Sequence, residues 1–203
     1  MKKMLNQSYG GTNPAAVSPL ANSAFTRRRL LRGALAAVIA VPSSGLLSAG
    51  RRQLFERSLK FYNVHTGESI KTVYWALGNY IPDALSEVSY VLRDYRTGEV
   101  KTVEPGLLDL LHRLAIKLNI RQPFYLLSGY RSPATNAMLA AQGYEVSVNS
   151  LHMDAMAADI YVPGRSLSRL HAAAIALHGG GVGYYLAADF VHVDVGRVRY
   201  WRG

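Results

Sequence analysis

The segment FVHVDVG, from Phe190 to Gly196, alternates so regularly that it reads as a β-strand with an apolar side and a chemical side. Val191, Val193 and Val195 point one way, and Phe190, His192 and Asp194 the other. Three valines in step mark the core side. The histidine and the aspartate therefore share the more open side, where ligands belong.

A second segment asks for the same chemistry. In SLHMDAMAADI, Ser150 to Ile160, His152 stands seven residues ahead of Asp159, in a run that is otherwise apolar. Asp159 opens the short strand DIYV, sharing one face with Tyr161 while Ile160 and Val162 take the other. A carboxylate at the start of a buried strand is costly unless it is paired or coordinated.

The remaining pattern is that of an α+β domain, a small antiparallel sheet with flanking helices. RSLKFYN and SIKTVYW alternate on either side of His65-Thr66-Gly67-Glu68 and predict a hairpin at a sheet edge. Helices are expected over Pro82 to Arg96, from Pro105 along the leucine-rich face of LLDLLHRLAIKL, over Pro133 to Gly143, and over Ser166 to His178. PFYLLSGYRS reads as a buried strand entering a turn. The glycine run Gly179 to Gly183 has neither a P-loop lysine nor a G-x-G-x-x-G frame, so it reads as a tight turn rather than a phosphate loop.

Charge is informative only once it is divided along the chain. The net charge is +10, but residues 1–50 hold six Lys and Arg and no acid, leaving 17 basic against 13 acidic residues in the remainder. Nucleic acid is therefore not an expected partner. The basic group Arg27-Arg28-Arg29, followed by an apolar stretch near Gly33 to Val41 and then small residues, has the form of an export signal. Thr26-Arg27-Arg28-Arg29-Leu30-Leu31-Arg32 resembles the twin-arginine motif, which makes the twin-arginine machinery the expected export partner. Residues 1–50 are thus expected to be a leader and 51–203 a single domain in the periplasm or cell envelope. The apolar stretch falls short of the ~20 residues of a spanning helix. An uncleaved leader would tether the domain to the membrane.

There is no cysteine, so a metal site must be built from histidines and carboxylates. His152, Asp159 and His192 form a His, carboxylate, His set, the kind that holds a catalytic zinc and leaves a fourth position for water. Such an ion lowers the pKa of its water and polarises a carbonyl, which points to hydrolysis. A carboxylate must then carry the proton to the leaving amine, and Asp189 and Asp194 are both candidates for that base. Arg131, at the end of SGYR, could fork onto a substrate carboxylate or stabilise an oxyanion. For His65, His112, His171 and His178 a hydrogen-bonded structural role is the expectation.

SGYRSPATNAML, SLHMDAMAADI and GGGVGYYLAADFVHVDVGRVRYW together resemble the peptidase M15 superfamily, and most closely its branch of bacterial murein endopeptidases of the endopeptidase K type. The likeness runs from about Leu59 to Trp201. It implies a hedgehog/D-Ala-D-Ala-peptidase-like zinc domain, with Zn2+ held by His152, Asp159 and His192 and with Ser150 and Arg131 lining the substrate side. It also implies cleavage of cross-links between peptidoglycan stem peptides, including those joining diaminopimelate residues. Wider relatives carry an acid three positions before the last histidine ligand, matching Asp189, and many carry His-x-His where this chain has His192-Val193-Asp194. The base therefore stays open between Asp189 and Asp194, and Asp194 as a metal ligand stays open too. Two rival functions remain: a D,D- or L,D-carboxypeptidase on stem peptides, and a non-catalytic zinc-containing module that binds murein.

Overall fold

The computed structural model describes residues 55–144 and 146–203. The leader expected over residues 1–50 lies outside them. Strands β1 (Glu56–Asn63) and β2 (Ser69–Ala76) form the expected hairpin. Its turn is closed by Asn63, whose side-chain oxygen accepts the backbone N–H groups of His65 and Thr66 at 3.0 and 3.2 Å. Gly67 supplies the left-handed corner at φ 73°.

This hairpin is not the sheet edge. β1 lies between β2 and β4 (Phe124–Ser128), running parallel to β4, and the edge beyond β2 is the two-residue β3 (Asn79–Tyr80). The reason is visible in β1 itself, where Leu59 and Phe61 are almost fully buried and need neighbours on both flanks.

β5 (Ala157–Tyr161), β6 (Gly181–Tyr185), β7 (Phe190–Asp194) and β8 (Arg199–Arg202) complete one eight-stranded sheet in the order β3-β2-β1-β4-β5-β7-β6-β8. The α+β class holds, with a larger and mixed sheet: the β1–β4 and β6–β8 junctions are parallel and the others antiparallel. Part of the enlargement comes from the glycine run. Gly181 to Gly183 form strand rather than turn, which side-chain alternation could not reveal because glycine has no side chain to alternate.

Four α-helices accompany the sheet among the described residues: α1 (Pro82–Val91), α2 (Pro105–Leu118), α3 (Pro133–Ala141) and α4 (Leu167–Ile175). Three of them start on proline, which lacks the N–H that a first turn cannot satisfy. α1, α2 and α4 join one core with Phe61, Phe124, Leu126, Ile160, Val182, Val191 and Val193 of the sheet. Leu107, Leu108, Leu111 and Leu114 of α2 are completely buried there, each contributing roughly 1.5–3 kcal/mol. No helix among the described residues is long and apolar enough to cross a membrane.

α1 stops at Val91, short of the expected Arg96, because Asp94 takes over the backbone that follows. The Asp94 side chain accepts N–H groups from Arg96 at 2.9 Å and from Ser132 at 2.8 Å. Leu92 adds its carbonyl to the Tyr130 N–H at 2.7 Å. A Cβ on Gly129 would strike the Leu92 backbone, so only glycine lets the two loops close. The loop after α1 thereby braces the turn that carries Arg131.

Candidate metal centre

Two adjacent strands and one short turn build the centre. Asp159 of β5 and His192 of β7 are direct partners in the antiparallel register, so they share a face. His152 reaches the same point from a single 3-10 turn, Leu151–Asp154. That turn is clasped to the loop after β4: the Arg131 N–H donates to the His152 carbonyl at 3.1 Å, and His152 Nδ1 donates to the Gly129 carbonyl at 2.7 Å.

The inward atoms lie close together. His192 Nδ1 is 2.9 Å from Asp159 Oδ1, His152 Nε2 is 3.2 Å from that oxygen, and the two ring nitrogens are 3.2 Å apart. Ligands about 2.1 Å from a tetrahedral ion stand roughly 3.4 Å from one another. The triangle is thus slightly contracted from that geometry. Among the described residues this is the single cluster of its kind.

Hydrogen bonding assigns the lone pairs. The Gly129 carbonyl can only accept, so His152 carries its proton on Nδ1 and, when neutral, turns a lone pair inward from Nε2. The Asp194 carboxylate likewise accepts from His192 Nε2 at 3.0 Å, leaving the Nδ1 lone pair inward. Two imidazole lone pairs and a carboxylate oxygen then converge with no proton among them. Such a set demands a cation, and the residues present fit one.

Without a metal, a proton is the substitute. Burial opposes charge on His192, but its bonds to Asp159 and Asp194 outweigh burial and raise its pKa to about 9. Burial likewise opposes the charge on Asp159, and His152 and His192 overcome it, holding the carboxyl far below the usual range.

Asp194 is completely buried and heavily engaged. Besides His192 it accepts the Gly181 and Gly196 N–H groups, each at 2.9 Å, and both terminal nitrogens of Arg199 at 3.1 and 2.7 Å. These donors outweigh burial and keep it ionised well below the ordinary carboxylate range. The glycine run serves this arrangement, since a Cβ on Gly181 would collide with the Asp194 carboxylate and the Arg199 guanidinium.

Asp189 is the opposite case. It is exposed on the turn between β6 and β7, at φ 54°, and no donor among the described residues engages its carboxylate. Its charge is felt at Tyr161, on the face that carries Asp159.

Arg131 is 12% exposed and poorly satisfied. It stands 3.7 Å from Asp159 Oδ2, with long contacts of 3.4 Å to Asn136 and 3.5 Å to Ser128, and its Nε has no partner. Burial lowers its pKa, partly offset by Asp159. Ser150 is buried at the start of the turn bearing His152, and its side chain caps no N–H.

Residues outside the predicted set also shape the centre. Trp201 lies 5.1 Å from the His192 ring, over Gly183, where a Cβ would come within 2.6 Å of the indole. Arg199 is the other, through its two bonds to Asp194. The two-residue spacing of Arg199 and Trp201 on β8 was the available signal, since it puts both on one face beside Gly181 and Gly183. The other histidines lie elsewhere: His65 stacks on Tyr95 at 3.7 Å, His112 bonds the Ser58 carbonyl, His178 bonds Tyr200, and His171 packs on Tyr184.

Fold and site together define an α+β domain with an internal His–Asp–His cluster that could hold a metal ion. The family model Peptidase_M15_2, described as peptidoglycan L,D-endopeptidase MepK, matches residues 52–201, and the chain belongs to that peptidase family. It is 40% identical over 166 residues to the peptidoglycan L,D-endopeptidase MepK of Escherichia coli K12, covering 82% of this chain and 89% of the relative. It is 36% identical over 148 residues to the probable peptidoglycan L,D-endopeptidase MepK of Haemophilus influenzae, covering 72% and 80%. No solved structure matches the chain.

Proposed function

We propose that this protein is an exported, zinc-dependent endopeptidase of the cell envelope that hydrolyses peptide cross-links of peptidoglycan, the L,D links named for its relatives. The observation that carries this reading is the meeting of ligand atoms from His152, Asp159 and His192 within hydrogen-bond distance of each other, an arrangement that needs either a proton or a metal ion at its centre. When bound there, zinc would supply Lewis acidity and an activated water.

The chain's own groups divide the remaining work. Asp189, exposed and unengaged, takes the proton of the attacking water and delivers it to the leaving amine. Asp194 has no acceptor position to spare, and serves by holding His192 with Nδ1 inward. Arg131, a buried cation short of partners, neutralises either the oxyanion or a substrate carboxylate, and Ser150 lines the same side.

A closed four-ligand site, as a purely binding module would need, is disfavoured because Asp194 meets the outer nitrogen of His192 and not the inward one. The test is incubation of the zinc-loaded chain with purified peptidoglycan, with and without a chelator, followed by product masses. Chelator-sensitive loss of cross-linked dimers is the expected result. Release of terminal D-alanine alone would make it a carboxypeptidase, and stoichiometric zinc with no release would make it a binding module.

Zinc binding should also displace a proton. The folded pKa of His192, raised to about 9, lies above its unfolded value of about 6.5. Its charge therefore stabilises the metal-free domain fully below about pH 6.5, and that contribution is lost as pH rises through about 9. Calorimetry in two buffers of different ionisation enthalpy is expected to register about one proton released per zinc near pH 7.5, fading above pH 9. A metal-free chain that releases none at pH 7.5 would have a neutral His192.

A further inference from the structure

The sheet face that carries the metal centre also carries a row of aromatic side chains with no part in the chemistry above. Tyr62 of β1, Tyr125 of β4, Tyr161 of β5, Phe190 of β7, Tyr185 of β6 and Trp201 of β8 all lie on it, each half-buried. Apart from Tyr161, which also packs against it, they take no part in the core, which lies on the other face under α1, α2 and α4. Neighbouring rings brace one another: Tyr62 to Tyr125 at 4.7 Å, Tyr125 to Tyr161 at 5.1 Å, and Tyr185 stacked on Phe190 at 4.5 Å. Trp201 Nε1 donates to the Tyr185 hydroxyl at 2.9 Å. Rings held in this way offer contact area at little further entropic cost.

We infer that this row is the seat of the substrate's glycan strand, a neutral N-acetylated polysaccharide whose sugar rings lie on the aromatic faces while the attached cross-link enters the metal centre. The inference rests on the reading of the substrate as peptidoglycan. Three observations support a glycan over the peptide. The row crosses six strands, roughly 24 Å at the usual strand spacing, which suits a polymer rather than one peptide side chain.

It is also continuous with the site, because Tyr161 follows Asp159 by two residues on one face and Phe190 precedes His192 likewise. Finally, the charges are segregated. Arg131 stands 3.7 Å from Asp159 at the centre, where a charged stem peptide would be read, and Asp189 lies where its charge is felt at Tyr161. The row itself presents neutral rings and phenol hydroxyls, and the cations that share its face on the same strands are engaged, Lys60 on the Arg121 carbonyl and Arg199 on Asp194, with Lys71 of β2 lying beyond Lys60.

The test compares the full zinc-loaded chain with its Tyr62→Ser/Tyr125→Ser variant, two sites well away from the ligands. Three probes are used: solubilised cross-linked glycan fragments, the same cross-linked peptides freed of sugar, and glycan chains stripped of peptide. The expected result is a KM about tenfold higher on the glycan-bearing substrate with kcat retained, sugar-free cleavage within about twofold of wild type, and loss of binding to stripped glycan. Tyr125→Phe, which keeps the ring, is expected to behave as wild type on all three. Equal losses on both cleavable substrates, or no change on the glycan-bearing one, would overturn the assignment. A wild-type chain that cuts neither substrate would defeat the endopeptidase reading instead, and stripped-glycan binding would still decide the row.

Discussion

Changing His192 to alanine is expected to remove bound zinc and turnover together. His192 is the residue through which both carboxylates of the centre are joined, Asp159 at its inner nitrogen and Asp194 at its outer one. Loss of a partner to a ligand already lowers metal affinity about 10–100-fold, so loss of the ligand itself should exceed ~10³-fold. Catalysis should fall at least as far, since several kcal/mol of charge stabilisation go with the ion. The variant should also be less stable by about 3–5 kcal/mol, because the buried Asp159 keeps only His152 and the more distant Arg131, and Asp194 loses one of its donors. Metal analysis, a melting curve and muropeptide release measured on one preparation check all three. A variant with full zinc and full activity would remove His192 from the site.

The second large effect separates the two aspartates. Asp189→Ala should lower kcat by about 10²–10⁴-fold with zinc content unchanged, because its side chain is exposed and unengaged, and should cost stability only through the strain of alanine at φ 54°. Asp194→Asn should instead lower zinc affinity about 10–100-fold, with much of the activity recovered in excess zinc, because it acts through the orientation of His192. The opposite pattern, an active Asp189→Ala beside a zinc-replete but inactive Asp194→Asn, would give the base to Asp194.

The contrast between those residues also marks where sequence reading stopped. Strand alternation correctly gave Asp194 and His192 a common face, because period-two geometry is local. It could not say that Gly181, Gly196 and Arg199 would fill the acceptor positions of Asp194, since those donors arrive from β6, from the loop after β7 and from β8. The same limit explains β6. A strand that begins Gly-Val-Gly has almost no side-chain pattern, and its identity depends on the ladder with β7 and on the need to admit Asp194 and Trp201 closely. The register also divides the adjacent tyrosines: Tyr184 packs toward the core with His171, and Tyr185 joins the open face.

What the sequence alone determined was the set of parts and their local faces: an α+β domain, helices begun by proline, a metal site without cysteine, and His152, Asp159 and His192 as its ligand candidates. These follow from periodicity, capping and donor chemistry, which act over a few residues. Tertiary structure alone decided the rest, namely which strands are neighbours, that the hairpin lies inside the sheet, that Gly129 and Asp194 set the tautomers of the two histidines, and that an aromatic row runs out from the centre. Each depends on contacts between segments tens of residues apart, whose pairing is selected by burial and register over the whole sheet.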